Sequence, residues 1–156
     1  IKTIDEKGIV VPAEFFESFG TLRLLDIFPL MMATMKRGAT LLVDELDASL
    51  HPMIIMSFIK IFHNDEINKN GAQLIFNTHN PIFLNKNLFR RDEIKFVEKE
   101  EKESILYSLS DFGTSGKNGV RNGENYLKNY FINKYGAITD VDFSDIFEEY
   151  MNQERK

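Results

Sequence analysis

The residues best suited to chemistry in this sequence are two adjacent carboxylates, Asp44 and Glu45. They follow directly on the apolar run 41–43, whose branched side chains are typical of a fully buried strand. Ligands of parallel sheets bind outside the carboxyl ends of the strands, so we expect both acids at a ligand-binding rim. Such acids can bind Mg²⁺ and hold a water in line, as phosphoryl transfer requires. The structural alternative is an acidic turn in which Asp47 or Ser49 caps the next helix.

A second candidate binding position precedes the first helical pattern. Ser18 and Gly20 stand just before residues 21–35, and a helix N-terminus offers unpaired N–H groups and a positive dipole to an anion. Simple capping by Ser18 is the alternative. We expect Pro29 to kink this helix and Gly38 to end it. The expected buried face recurs at helical spacing: Leu24, Phe28, Met31 and Met35.

A third candidate, His79, follows the apolar run 72–76. Between this run and the strand 41–43 lies a helical pattern from Pro52 to about Phe62, expected to be largely buried. The strand–helix–strand order predicts a right-handed crossover and two parallel neighbours. His79 is therefore expected beside the two acids, although a lone histidine after a strand is more often a turn residue.

These segments, in this order, resemble the signature motif, the Walker B strand with its D-loop, and the switch histidine of ABC-type ATPases. The resemblance implies an α/β fold, a partial P-loop NTPase fold of parallel strands with flanking helices, and the cofactors ATP and Mg²⁺. It also implies that Asp44 binds Mg²⁺, Glu45 polarises the attacking water and His79 contacts the γ-phosphate. The nucleotide-contacting residues implied by the same motifs are Ser18, Gly20, Thr21, Arg23 and Ser49.

The sequence of residues 44–52, with His-Pro where transporters carry Asp, is similar to that of bacterial ABC-like AAA ATPases of abortive infection, phage defence and DNA maintenance. These are relatives of the SMC, RecF and OLD groups, and the likeness covers roughly residues 18–139. It implies a homodimer of the full-length protein in which the signature residues contact ATP held by the other subunit. DNA, RNA, a toxin or a nuclease are all open as further partners.

The P-loop is the motif of this family that the sequence lacks. Residues 113–118 come nearest, but Asp111 stands where the first Gly is needed and Asn118 where Ser or Thr is needed. This string also follows the other motifs instead of preceding them. We therefore expect residues 1–156 to form one domain, the C-terminal lobe of an ABC-type ATPase domain whose P-loop lies upstream of Ile1. The parent protein is expected to be an ATPase, and the fragment alone to bind ATP weakly.

The second half of the chain predicts a β-hairpin and two helices. Runs 94–97 and 105–109 flank a charged tip, and aromatic helical patterns cover 124–133 and 142–153. We expect these aromatic residues to form a core rather than a base-stacking platform. The expected buried stripe of the last helix is Phe143, Ile146, Phe147 and Tyr150. Basic residues that could form a small nucleic-acid face are Lys99, Lys102, Lys117, Arg121 and Lys128, although their acidic neighbours favour a solvated surface.

Composition narrows the possible classes of function and the possible location of the protein. The formal net charge of −5 argues against a broadly basic nucleic-acid surface, and the absence of cysteine excludes disulfides and is compatible with a cytoplasmic protein. No signal peptide or apolar run of membrane-spanning length is visible. Two other functions stay open. One is a TOPRIM-type nuclease in which Asp44, Glu45 and Asp47 bind Mg²⁺, and the other is a non-catalytic interaction module derived from an ATPase.

Overall fold

The computed structural model describes residues 2–4, 10–100, 102–114, 119–121, 124–138 and 142–153. The chain divides into two compact units, Ile1–Leu88 and Phe89–Lys156. Most of the string nearest to a P-loop, including Lys117, lies outside the described residues. Within the described ranges, no helix combines the length and apolar character needed to cross a bilayer.

The first unit contains the predicted strand–helix–strand element. Its helices and strands, in chain order, are β1 (Lys2–Ile4), β2 (Val10–Pro12), α1 (Phe19–Arg37), β3 (Thr40–Val43), α2 (Pro52–Phe62) and β4 (Gln73–Phe76). β1 pairs antiparallel with β2, and β3 pairs parallel with β4 in a register that sets Val43 beside Phe76. The parallel pairing predicted from the order of elements is therefore confirmed, and the carboxyl ends of β3 and β4 lie side by side.

Helix α1 begins and ends at the expected residues. The Ser18 hydroxyl oxygen accepts a hydrogen bond from the Thr21 amide at 3.1 Å, which is an N-cap bond. Gly38 ends the helix in the left-handed conformation, φ 63°, as glycine does without a steric penalty. The predicted buried face was partly wrong, because Ile27, Met31 and Thr34 are buried whereas Phe28 is about half exposed. Phe28 instead lines an open groove between α1 and α2.

The cap of α2 differs from the prediction. His51, and neither Asp47 nor Ser49, is the N-cap, and its Nδ1 accepts from the Met53 amide at 3.2 Å. The reason is that Pro52 is the first helical residue, so the N-cap is the residue before it, and an N-cap side chain accepts from the N–H of the second helical residue, Met53. Only one side of α2 is fully buried, which corrects the expectation of a largely buried helix. The buried residues are Ile55, Phe58, Ile59 and Phe62, while Met53 is exposed.

Strand β3 is not fully buried, contrary to the prediction. Leu42 on β3 and Ile75 on β4 are 72% and 55% exposed, whereas Leu41 and Val43 are half-buried. Helix α1 packs on β3 and α2 packs on β4. In the described part of this unit, these helices cover one face of the two-stranded sheet, so alternate residues of each strand face solvent.

The second unit is built on the predicted hairpin. Strands β5 (Lys95–Glu100) and β6 (Glu103–Ser108) pair antiparallel, and helices α3 (Tyr126–Phe131) and α4 (Ser144–Gln153) follow. The ring of Phe96 stacks on those of Tyr130 and Tyr135, and Tyr126 is buried. The predicted aromatic core is therefore confirmed for Tyr126 and Tyr130 of α3 but not for Phe131, which is 64% exposed. The predicted stripe of α4 is wrong, because no described element of this unit covers that face. All four of its residues are more than half exposed: Phe143, Ile146, Phe147 and Tyr150.

Candidate active site

The carboxyl ends of β3 and β4 bring three of the predicted site residues together. Asp44 and Glu45 follow β3 directly, and His79 follows β4 by three residues. The His79 Nε2 atom lies 3.7 Å from the Glu45 Oε1 atom. Both side chains are open to solvent, 90% exposed for His79 and 57% for Glu45. The prediction that His79 lies beside the acids is confirmed, and the pair can be reached by a ligand.

Asn77 connects the two strand ends and was missed by the sequence reasoning. Its side-chain amide donates to Asp44 Oδ1 at 2.7 Å, and its Oδ1 accepts from the Glu45 backbone N–H at 2.5 Å. Its main chain takes part as well, because its N–H donates to Val43 and its carbonyl accepts from Leu46. The strand register would have identified it, since Asp44 and Asn77 are the next positions after the Val43–Phe76 pair.

The turn that carries the two acids has an uncommon backbone. Glu45 has φ 46° and Ser49 has φ 64°, values in the left-handed region that few residues other than glycine adopt. Leu46 and Leu50 are buried, and their side chains hold the turn in place. Strained backbone of this kind recurs at functional sites, where surrounding contacts hold it in place.

The predicted signature residues form contacts within their own chain. The Ser18 hydroxyl group caps α1 and lies 2.9 Å from the hydroxyl oxygen of Thr21. A Cβ atom on Gly20 would lie only 2.6 Å from the Ser49 carbonyl oxygen. Glycine at position 20 is therefore required by the close approach of α1 to the loop after β3. These contacts give the residues a structural role, and their contact with nucleotide stays a prediction.

Arg23 also points to the site from within the chain. Its terminal nitrogen donates to the backbone carbonyl of Asp44 at 3.3 Å, while its Nε is buried without a hydrogen-bond partner. The first turns of α1 are thus bound to the start of the turn that carries Asp44 and Glu45. The Arg23 side chain steadies the backbone that presents Asp44, and its contact with nucleotide stays a prediction.

The side chains at this rim fit a magnesium ion that is mostly coordinated by water and phosphate. Mg²⁺ prefers oxygen ligands and usually takes one or two carboxylates, with water and substrate phosphates completing its shell. Asp44 is exposed, and its Oδ2 accepts no hydrogen bond from the described residues. No three or more His, Asp or Glu side chains converge as a metal site in the described part of the chain.

Comparison with known proteins identifies the family. A family model described as "AAA domain, putative AbiEii toxin, Type IV TA system" matches residues 3–85, which is more than half of the chain. No curated protein and no solved structure matches the chain. The matched segment contains every candidate site residue from Ser18 to His79 and supports an ATPase-like, nucleotide-binding domain with a P-loop NTPase-like α/β fold. The chain belongs to this family of AAA domains of the putative AbiEii toxin type.

Proposed function

We propose that this chain supplies the catalytic carboxylates and the switch histidine of an ABC-type ATPase that hydrolyses ATP in abortive infection or DNA maintenance. The observation that carries the proposal is the meeting of Glu45 and His79, 3.7 Å apart, at the ends of two parallel strands. Asp44 stands beside them with its carboxylate held by Asn77. The family match to an AAA domain gives this arrangement its chemical context.

Each of the three side chains has a distinct task in this mechanism. The Glu45 carboxylate accepts a hydrogen bond from a water molecule and orients it for attack in line with the leaving phosphate. The His79 Nε2 atom donates to a γ-phosphate oxygen and so reports whether that phosphate is present. Asp44 would hold Mg²⁺, which when bound neutralises charge on the phosphates. The left-handed backbone of Glu45 turns this carboxylate toward His79.

The proposal includes a head-to-tail homodimer of the full-length protein. Ser18 and Gly20 of one subunit, with Thr21 and Ser49, would contact the ATP bound by the other. Ser18 is exposed at the N-terminus of α1, where backbone N–H groups favour an anion. Three exposed phenylalanines surround it in the sequence: Phe15, Phe16 and Phe19. Exposed aromatic patches are typical of protein interfaces, which supports a partner subunit at this surface.

Steady-state ATP turnover by the full-length protein tests the proposal. We expect Glu45→Gln to lower kcat by about 10²–10⁴-fold, the usual contribution of a positioned base, while ATP-driven dimerisation persists. His79→Ala should lower kcat by about 10²–10³-fold, as the loss of a phosphate-directed donor does. Glu66→Gln, an exposed acid elsewhere in the first unit, is the matched control.

The other candidate functions give different results in the same experiments. Divalent-dependent cleavage of DNA without ATP would support the nuclease instead. Absence of ATP binding by the full-length protein would support the interaction module. Normal turnover by Glu45→Gln would remove the assigned base and with it this proposal.

A further inference from the structure

We infer that Asn77 is the positioning residue of this site, an amide that holds the metal-binding acid and the catalytic acid in one fixed arrangement. The inference rests on the proposed function of Asp44 and Glu45. In the described part of the first unit, no other side chain forms hydrogen bonds with both residues. Asn77 would touch neither the water nor the phosphate and would act only through Asp44 and Glu45.

The two hydrogen bonds have opposite polarity, which explains why an amide is suited to the position. The Nδ2 atom donates to a carboxylate oxygen of Asp44, while the Oδ1 atom accepts from the backbone N–H of Glu45. A carboxylate at position 77 could accept but not donate, and it would repel Asp44. A serine or threonine hydroxyl is shorter and would have to serve both partners through one oxygen atom.

The bond to Asp44 fixes how that residue presents its charge. Because Oδ1 is engaged by Asn77 at 2.7 Å, the rotation of the carboxylate is restricted and Oδ2 is left to face a cation. Groups behind a metal ligand that restrict it in this manner typically change metal affinity or activity by about 10–100-fold when they are removed. Asn77 is placed to do this because β4 runs parallel to β3 and ends beside it.

The bond to Glu45 holds a backbone conformation that this residue does not favour. Non-glycine residues with positive φ are strained and persist where surrounding contacts hold them. Glu45 has φ 46°, and the Asn77 Oδ1 atom accepts its N–H at 2.5 Å. Without that acceptor the turn can relax to ordinary backbone angles, which would move the Glu45 carboxylate away from His79.

Two substitutions separate these effects in the full-length protein. Asn77→Ala removes both bonds, whereas Asn77→Asp has nearly the same shape and keeps an acceptor for the Glu45 amide but loses the donor to Asp44. We expect both to lower kcat for ATP by about 10–100-fold, with KM changed less than about threefold. Asn85→Ala is the matched control, because it also removes one side-chain bond to a backbone amide, that of Asn87, in the same unit.

Hydrogen exchange at the Glu45 amide, measured by NMR without nucleotide or metal, gives a readout independent of activity. Exchange should accelerate in Asn77→Ala and stay slow in Asn77→Asp, while Asn85→Ala leaves it unchanged. If Asn77→Ala does not fold, the isosteric Asn77→Asp carries the test.

The outcomes also separate this inference from the proposed function. Turnover of Asn77→Asp within twofold of wild type, or unchanged Glu45 exchange in a folded Asn77→Ala protein, would overturn the positioning role. If instead Glu45→Gln turns over ATP normally, the proposed function fails, whatever the Asn77 variants show.

Discussion

Ser18 provides a prediction that separates a structural role from a functional one. In the structure its hydroxyl oxygen is the N-cap of α1 and accepts from the Thr21 amide at 3.1 Å. Replacing an N-cap serine with alanine has a cost of about 1 kcal/mol, so Ser18→Ala should lower the free energy of unfolding by that amount. Aspartate caps helices as well as serine does, and its charge gains about 0.3–1 kcal/mol from the helix dipole. Ser18→Asp should therefore be at least as stable as wild type.

The same aspartate has the opposite effect on catalysis if Ser18 contacts ATP in the other subunit. It would place a negative charge against a phosphate, and two such charges about 4 Å apart near a protein surface repel by about 4 kcal/mol. That energy corresponds to roughly a 10³-fold loss, because 1.36 kcal/mol is a factor of ten in rate. We therefore expect a protein that is stable and almost inactive.

Two assays check the prediction, urea unfolding followed by circular dichroism and ATP turnover by the full-length protein. Asn125→Asp is the matched control, because Asn125 caps α3 through the Lys128 amide and the change adds the same charge at another helix N-terminus. It should leave turnover unchanged. Wild-type turnover by Ser18→Asp would refute the contact with ATP and leave Ser18 as a helix cap alone.

Two further predictions concern stability. Asn68→Ala should lower the free energy of unfolding by about 2–4 kcal/mol, because three hydrogen bonds of 2.7–2.8 Å to Phe62 and Ala72 are lost. Asn70→Ala should lower it by less, because the bonds of Asn70 are exposed and 3.1–3.2 Å long. Equal losses of stability for the two variants in urea unfolding would contradict this prediction. The Lys134 Nζ atom lies 2.7 Å from Glu124 Oε2 and holds the pKa of that carboxyl below its ordinary value of 4.5. The stability that this ion pair contributes to the folded state is therefore complete above pH 4.5 and is lost as the pH falls through the lower native pKa. In urea unfolding at a series of pH values, Glu124→Gln should reduce the loss of stability at acid pH, whereas Glu148→Gln should not. An unchanged loss in Glu124→Gln would refute the stabilising role of the ion pair.

The arrangement of the site could be predicted because it follows from local pattern and chain order. The apolar runs before Asp44 and after Gly71 predict strands, and the segment between them predicts a helix. A parallel crossover then places the carboxyl ends of the two strands side by side. Helix ends were equally predictable where one residue decides them, as at Gly38. His51 was missed because histidine is not among the usual N-cap residues, although Pro52 at the first helical position places the N-cap at residue 51.

Burial was harder to predict, since a sequence pattern shows which residues can be covered and not what covers them. The branched run through Leu42 suits a strand buried on both faces, yet the described helices of this unit cover one face. The stripe of α4 has the period of a buried helix and is exposed for the same reason. Asn77 needed the register of β3 against β4, which depends on contacts between residues 33 positions apart.

A single-turnover measurement on the full-length protein tests directly whether Glu45 orients the attacking water. ATP is bound first, Mg²⁺ is added, and phosphate release is followed in wild type and in Glu45→Gln. We expect the variant to bind ATP as tightly as wild type but to release phosphate at least about 10²-fold more slowly, because the water is no longer oriented. Phosphate release at the wild-type rate would show that Glu45 does not serve as the catalytic base.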